Sequence, residues 1–158
     1  MDSPLTTYLQ DHFAGSMHAI ELLKAMRDYH TGKSLGHFAA QLLAEIEADR
    51  DVLSELIQLT GATPGGIKEW GAWLAEKVSR LKLKHSSEEG LGTFEALEFL
   101  VLGIHGKWAL WHALAVVAPY DPRLRPADFT QLIARAESQH ARVDERRLAC
   151  AKSAFGLN

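Results

Sequence analysis

At 158 residues with a formal net charge of −3, the chain has the size of one ordinary domain, 1–158, able to bury a core without disulfide or metal staples. Its composition, 47% hydrophobic and 23% charged, without Pro/Ser-rich tracts or charge blocks, argues against extended disorder, and the slight acidic excess argues against a nucleic-acid partner. The single cysteine, Cys150, excludes an internal disulfide and reads as a small helix-face residue.

The opening MDSPLTTYLQDHF has no basic stretch followed by an apolar one, so it does not read as a signal peptide, and a cytoplasmic location is expected. Ser3-Pro4 places a capping hydroxyl before a proline at the first helical position. Apolar residues then recur at Leu5, Leu9, Phe13, Ile20 and Leu23, which predicts a first helix ending at Tyr29. After His30-Thr31-Gly32-Lys33, Ser34 is expected to cap a second helix whose stripe Phe38, Leu42, Ile46, Leu53 and Leu56 runs to Gly61. So short a connection makes the two helices antiparallel neighbours.

Thr63-Pro64 repeats the cap-plus-proline signature and predicts a third helix with Ile67, Trp70, Leu74, Val78 and Leu81 on one face. Its basic end, Lys77, Arg80, Lys82 and Lys84, reads as a solvated face complementing the helix dipole. A fourth helix is expected from near Thr93, carrying Phe94, Leu97, Val101, Ile104, Trp108, Trp111 and Ala115, until Pro119 stops it. The stretch from Phe99 to Ala118 is apolar enough to suggest a membrane span. Lys107 at its centre, between His105 and His112, favours a helix inside a bundle instead, and no membrane association is expected. A fifth helix begins near Pro126–Asp128, carries Phe129, Leu132, Ala136, Val143 and Leu148, and ends at Gly156. No segment alternates with the period of a strand.

The expected fold is therefore all-α, an antiparallel four-helix bundle of two helical hairpins with an additional crossover helix. In such a bundle chemistry is built from polar side chains that interrupt apolar stripes. Four do so within about two turns of their helix centres: His12, Asp49, His105 and His140. Glu137 and His140 form a Glu-x-x-His pair, and residues three apart share a helix face and can reach one metal. Lys107 is expected to pair with a carboxylate such as Glu137, Glu98 to turn toward Arg147, and Gly103 and Gly106 to permit close helix approach. The aromatic residues Trp70 and Trp73 suggest a homodimer contact.

Two helical hairpins joined by a helical crossover, with Glu137-x-x-His140 on the last helix, resemble the ferritin-like superfamily. The phrases EADRDVL, AEKVSRLKL, GIHGKWALWHAL and RAESQ resemble small bacterial members with an incomplete di-iron motif. The resemblance implies Glu137 and His140 as metal ligands, with Asp49 as a carboxylate from the second helix; a metal-binding reading of the residues adds His12 or His105 to complete a site for iron, manganese or zinc. The second Glu-x-x-His pair is missing: three residues beyond Glu45, Glu47 and Asp49 stand Ala48, Arg50 and Val52. The leading expectation is a non-enzymatic bundle without a complete di-iron centre. The alternatives are a metal-binding protein or metal-dependent oxidoreductase, or a bundle holding haem between His12 or His105 and the tryptophans.

Overall fold

A computed structural model describes residues 3–65 and 87–157. Among these the chain is all-helical, a bundle of four long helices with no strand: α1 (Pro4–Tyr29), α2 (Ser34–Leu59), α3 (Leu91–Val117) and α4 (Phe129–Ala154), with a 3₁₀ turn at Pro122–Leu124. The expected helix over Ile67–Leu81, with Trp70, Trp73 and the basic run from Lys77, lies outside the described residues.

The helix ends follow local chemistry. Ser3 caps α1 by accepting a hydrogen bond from the Thr6 amide at 3.2 Å, with Pro4 at the first helical position. Asp128 does the same for α4 through the Gln131 amide at 3.0 Å. Two starts differ from expectation. Lys33, not Ser34, occupies the cap of α2, and the Ser34 hydroxyl instead accepts from Arg146 at 2.9 Å. Helix α3 starts at Leu91 after a Gly90 cap, and the Thr93 hydroxyl donates to the Ser87 carbonyl at 2.8 Å. The α1–α2 turn is closed by Gly32, whose φ of 77° is open to glycine and strained for other residues. At Gly36 a Cβ would lie 2.1 Å from the His30 carbonyl oxygen, so the backbones meet only because no side chain is there.

Helix α1 packs chiefly on α2 and α3 on α4, while α1 and α3 touch more sparingly. Apolar residues recur at alternating three- and four-residue steps on each core-facing stripe. On α2 these are Leu35, Ala39, Leu42, Ile46, then Leu53 and Leu56; on α3 Leu97, Leu100, Ile104, then Trp111 and Leu114; on α4 Phe129, Leu132, Ala136, then Val143. The 3.5-residue average keeps one stripe facing the neighbouring helices over the whole length.

The core is divided in two. One apolar cluster holds Ile20, Leu23, Leu42, Ile46, Leu97, Leu100, Ile104 and Val143. The other holds Leu9, Leu53, Leu56, Leu110, Trp111, Leu114, Leu132 and Ala136. The step missing from each stripe falls between the clusters, and Asp49, Lys107 and Gln139 stand there.

Candidate functional site

The slab between the two clusters is an ionic network built by three helices. Asp49 of α2 is buried, its side chain 2% exposed, and Lys107 of α3 keeps 14% exposure. The Lys107 ammonium donates to Asp49 Oδ2 at 2.5 Å and to the Gln139 side-chain oxygen of α4. Arg135 of α4 forms an ion pair with the second Asp49 oxygen. The Gln139 amide nitrogen donates to Asp49 Oδ2 and to Glu45 Oε2, both at 3.2 Å, and Arg142 pairs with Glu45 at 2.5 Å. Gln139 is fully buried, and its amide is the hinge of the network because it alone touches Asp49, Glu45 and Lys107. Two carboxylates thus face three cations, of which Arg135 and Arg142 reach toward solvent while Lys107 stays inside.

The surroundings act on these groups in opposite directions. Burial draws the Lys107 ammonium below the usual lysine range, and the Asp49 carboxylate beside it opposes that pull without cancelling it. Burial pushes Glu45 upward, but hydrogen bonds from Arg142 and Gln139 outweigh it and hold this carboxyl below its ordinary value.

Helix α1 contributes no charge to the slab. It lines a cavity of about 400 Å³ between α1, α2 and α3, walled by Ala19, Ile46, Leu53, Phe99, Ile104, Leu110 and Trp111, with Lys107 and Asp49 on its inner side. Gly15, Gly103 and Gly106 also line it, and among the described residues a Cβ built on any of them meets no atom within 4 Å. Among those residues Gly103 and Gly106 therefore do not mediate the close helix approach expected of them; they widen the cavity. Each helical glycine forgoes about 0.5–1 kcal/mol relative to alanine, and no contact among the described residues recovers it. Trp111 is 1% exposed, and its indole N–H has no hydrogen-bond partner among the described residues.

The five sequence candidates are dispersed around this slab. Asp49 is where a carboxylate from the second helix was expected, but both its oxygens are engaged by Lys107 and Arg135. Glu137 is exposed and accepts from the Trp108 indole at 3.2 Å; it is not the partner of Lys107. His140 and His105 do meet, with ring centroids 6.1 Å apart, on the outer seam of α3 and α4, where His105 stacks on Trp108 at 5.2 Å. His12 lines the cavity and packs edge-on against Tyr8 at 4.8 Å; burial lowers its pKa, opposed in part by Asp11. Glu98 pairs with Arg147 at 3.2 Å, as anticipated. Among the described residues no three His, Cys, Asp or Glu side chains come together in a way that could hold a metal ion.

Lys107 was recognised as buried and paired, but Arg135, Gln139 and Arg142 escaped the sequence reading. A signal for Gln139 existed: the steps Leu132, Ala136, Val143 leave a gap that a three-residue step fills with Gln139 and a four-residue step with His140. The alternation seen along the rest of the stripe selects Gln139.

The described residues also include one helix, α3, long and apolar enough to cross a membrane by length and composition. Its outward residues include Leu102, 68% exposed, and Val116, 73% exposed. Compared with protein-family models, with curated proteins and with solved structures, the chain matches none of them.

Proposed function

We propose that the protein is a non-catalytic helical bundle of ferritin-like shape, two antiparallel hairpins joined by a crossover, in which fixed cations stand where a di-iron centre would lie. The observation that carries this reading is the Asp49 carboxylate held by Lys107 and Arg135 at mid-bundle. A carboxylate already neutralised by an ammonium and a guanidinium is a poor metal ligand, because a divalent ion there would meet two fixed positive charges at short range. Contacts that fall along α4 as they rise along α2, from Ser34–Arg146 to Glu45–Arg142 to Asp49–Arg135, support the antiparallel arrangement. A homodimer that covers Leu102 and Val116, exposed apolar side chains of α3, belongs to the same reading.

The metal-dependent alternative draws on the His105–His140 contact, which brings two imidazoles to one seam beside Glu137. One experiment separates the readings. Purified protein is incubated with iron(II), manganese(II) or zinc(II), desalted, and submitted to elemental analysis, with its mass measured by light scattering on the same sample. The proposal expects less than about 0.1 metal per chain and no rise in melting temperature. Stoichiometric metal that is lost in His140→Ala overturns it.

A further inference from the structure

The cavity between α1, α2 and α3 has features that packing does not account for. Three glycines on two helices leave it open, and a Cβ on any of them would meet nothing among the described residues. Its rim is accessible at Asp11, Gly15 and Gly103, while its inner wall is mainly apolar, interrupted by His12, His18, Asp49, Arg50 and Lys107. Two hydrogen-bond donors lack acceptors there. The Lys107 ammonium has three N–H groups, of which Asp49 and Gln139 take two. The Trp111 indole N–H, one helical turn further along the same face, is buried with no acceptor among the described residues. Of the network's cations only the Lys107 ammonium lines the cavity. A buried donor left unmet is costly unless something completes it.

We infer that this cavity binds a straight-chain monocarboxylate, with the carboxylate on Lys107 and the Trp111 indole and the chain lying along α3 toward Phe99. A carboxylate supplies acceptors for both donors from one group, and its charge is met by the Lys107 ammonium. The lining runs from Phe99 to Trp111, twelve residues or about 18 Å along the helix axis, which suits an extended chain better than a compact ring. Apolar cavities of about 150 Å³ accommodate a benzene, so about 400 Å³ scales to at most roughly sixteen non-hydrogen atoms, room enough for a medium-chain acid of about twelve.

The test uses the full chain with decanoate below its micelle concentration, followed by calorimetry and by thermal shift. Decanol and decyltrimethylammonium serve as neutral and cationic twins. The expected result is one decanoate per chain with micromolar affinity, and at least about tenfold weaker binding of both twins. Gly106→Leu, which fills the cavity from a position with open space around it, keeps the fold by circular dichroism and loses at least about tenfold in decanoate affinity. Lys107→Met is a second probe of the headgroup, and Gly106→Leu keeps the test decisive where Lys107→Met fails to fold. Absence of decanoate binding at low millimolar concentration, equal binding of decanol or decyltrimethylammonium, or undiminished binding to a folded Gly106→Leu overturns the inference.

Discussion

Replacing Asp49 by Asn removes the negative charge from the centre of the network and leaves Lys107 and Arg135 facing a neutral amide. Arg135, a third exposed, can turn toward water; Lys107, at 14% exposure, cannot do so without opening the bundle. Breaking a buried pair from one side costs about 3–5 kcal/mol. For a chain of this length each kcal/mol lowers the melting temperature by roughly 2–4 °C, giving a loss of about 6–20 °C. The deficit should depend on pH. Burial already places the folded Lys107 pKa below its unfolded value, so in the window between the two the unfolded chain binds more protons and stability rises with pH. Without the Asp49 carboxylate that window widens downward. The gap between Asp49→Asn and the parent therefore narrows as pH rises toward the unfolded lysine value of about 10.4. The companion variant, Asp49→Leu with Lys107→Leu, removes both charges and should lie closer to the parent than Asp49→Asn, since apolar replacement of a whole buried pair is often near neutral. Urea unfolding of the single and double variants supplies the coupling energy. An Asp49→Asn variant within about 1 kcal/mol of the parent, or additive single effects, would refute the claim that these charges depend on one another.

Two further predictions concern sites away from the network. Gly36→Ala forces a Cβ into the His30 carbonyl and should cost about 1–3 kcal/mol, whereas Gly103→Ala, which meets nothing, should gain up to about 1 kcal/mol; thermal melts that rank the two in the opposite order would contradict the backbone geometry. Burial lowers His12, so the folded state favours its neutral form. Its contribution is complete above the unfolded value near 6.5 and is lost as pH falls through that value toward the folded one. His12→Phe should flatten the stability profile below about pH 6.5, as followed by denaturant midpoints, and an unchanged slope there would count against the burial of this ring.

The long helices were legible because their signals are local. Ser3-Pro4 and Asp128 start helices by accepting orphan amide hydrogens, and apolar residues recur at steps of three and four. The site was legible only in part. Asp49 interrupts the stripe of α2 between Ile46 and Leu53, and its interior position follows from that spacing alone. On α4 the choice lay between Gln139 and His140, neighbours whose side chains differ by about 100° around the helix. Histidine drew attention for its chemistry, while the rotation of α4 in the bundle buried the amide. Helix α3 is apolar around most of its circumference, so its sequence does not specify which face turns inward, and the partner of Lys107 could not be read from its own helix. Asp49 rather than Glu137 receives it because the pairing depends on how α2, α3 and α4 are rotated together. The cavity had no sequence signature beyond its glycines, which equally suit close packing.

The ionic slab also gives the bundle an axial reference point. Apolar stripes with a seven-residue repeat are nearly indifferent to sliding: a shift of one repeat, about 10 Å, sets leucine against leucine again. The charges are not indifferent. After such a slide of α3, Asp49 would face Leu100 or Leu114 and Lys107 would enter an apolar layer away from Asp49 and Gln139, and an unpaired ammonium there is among the costlier defects a core can hold. Three polar residues in otherwise repetitive stripes thus act as an alignment mark, selecting one registration of the helices from several that hydrophobic packing alone would tolerate.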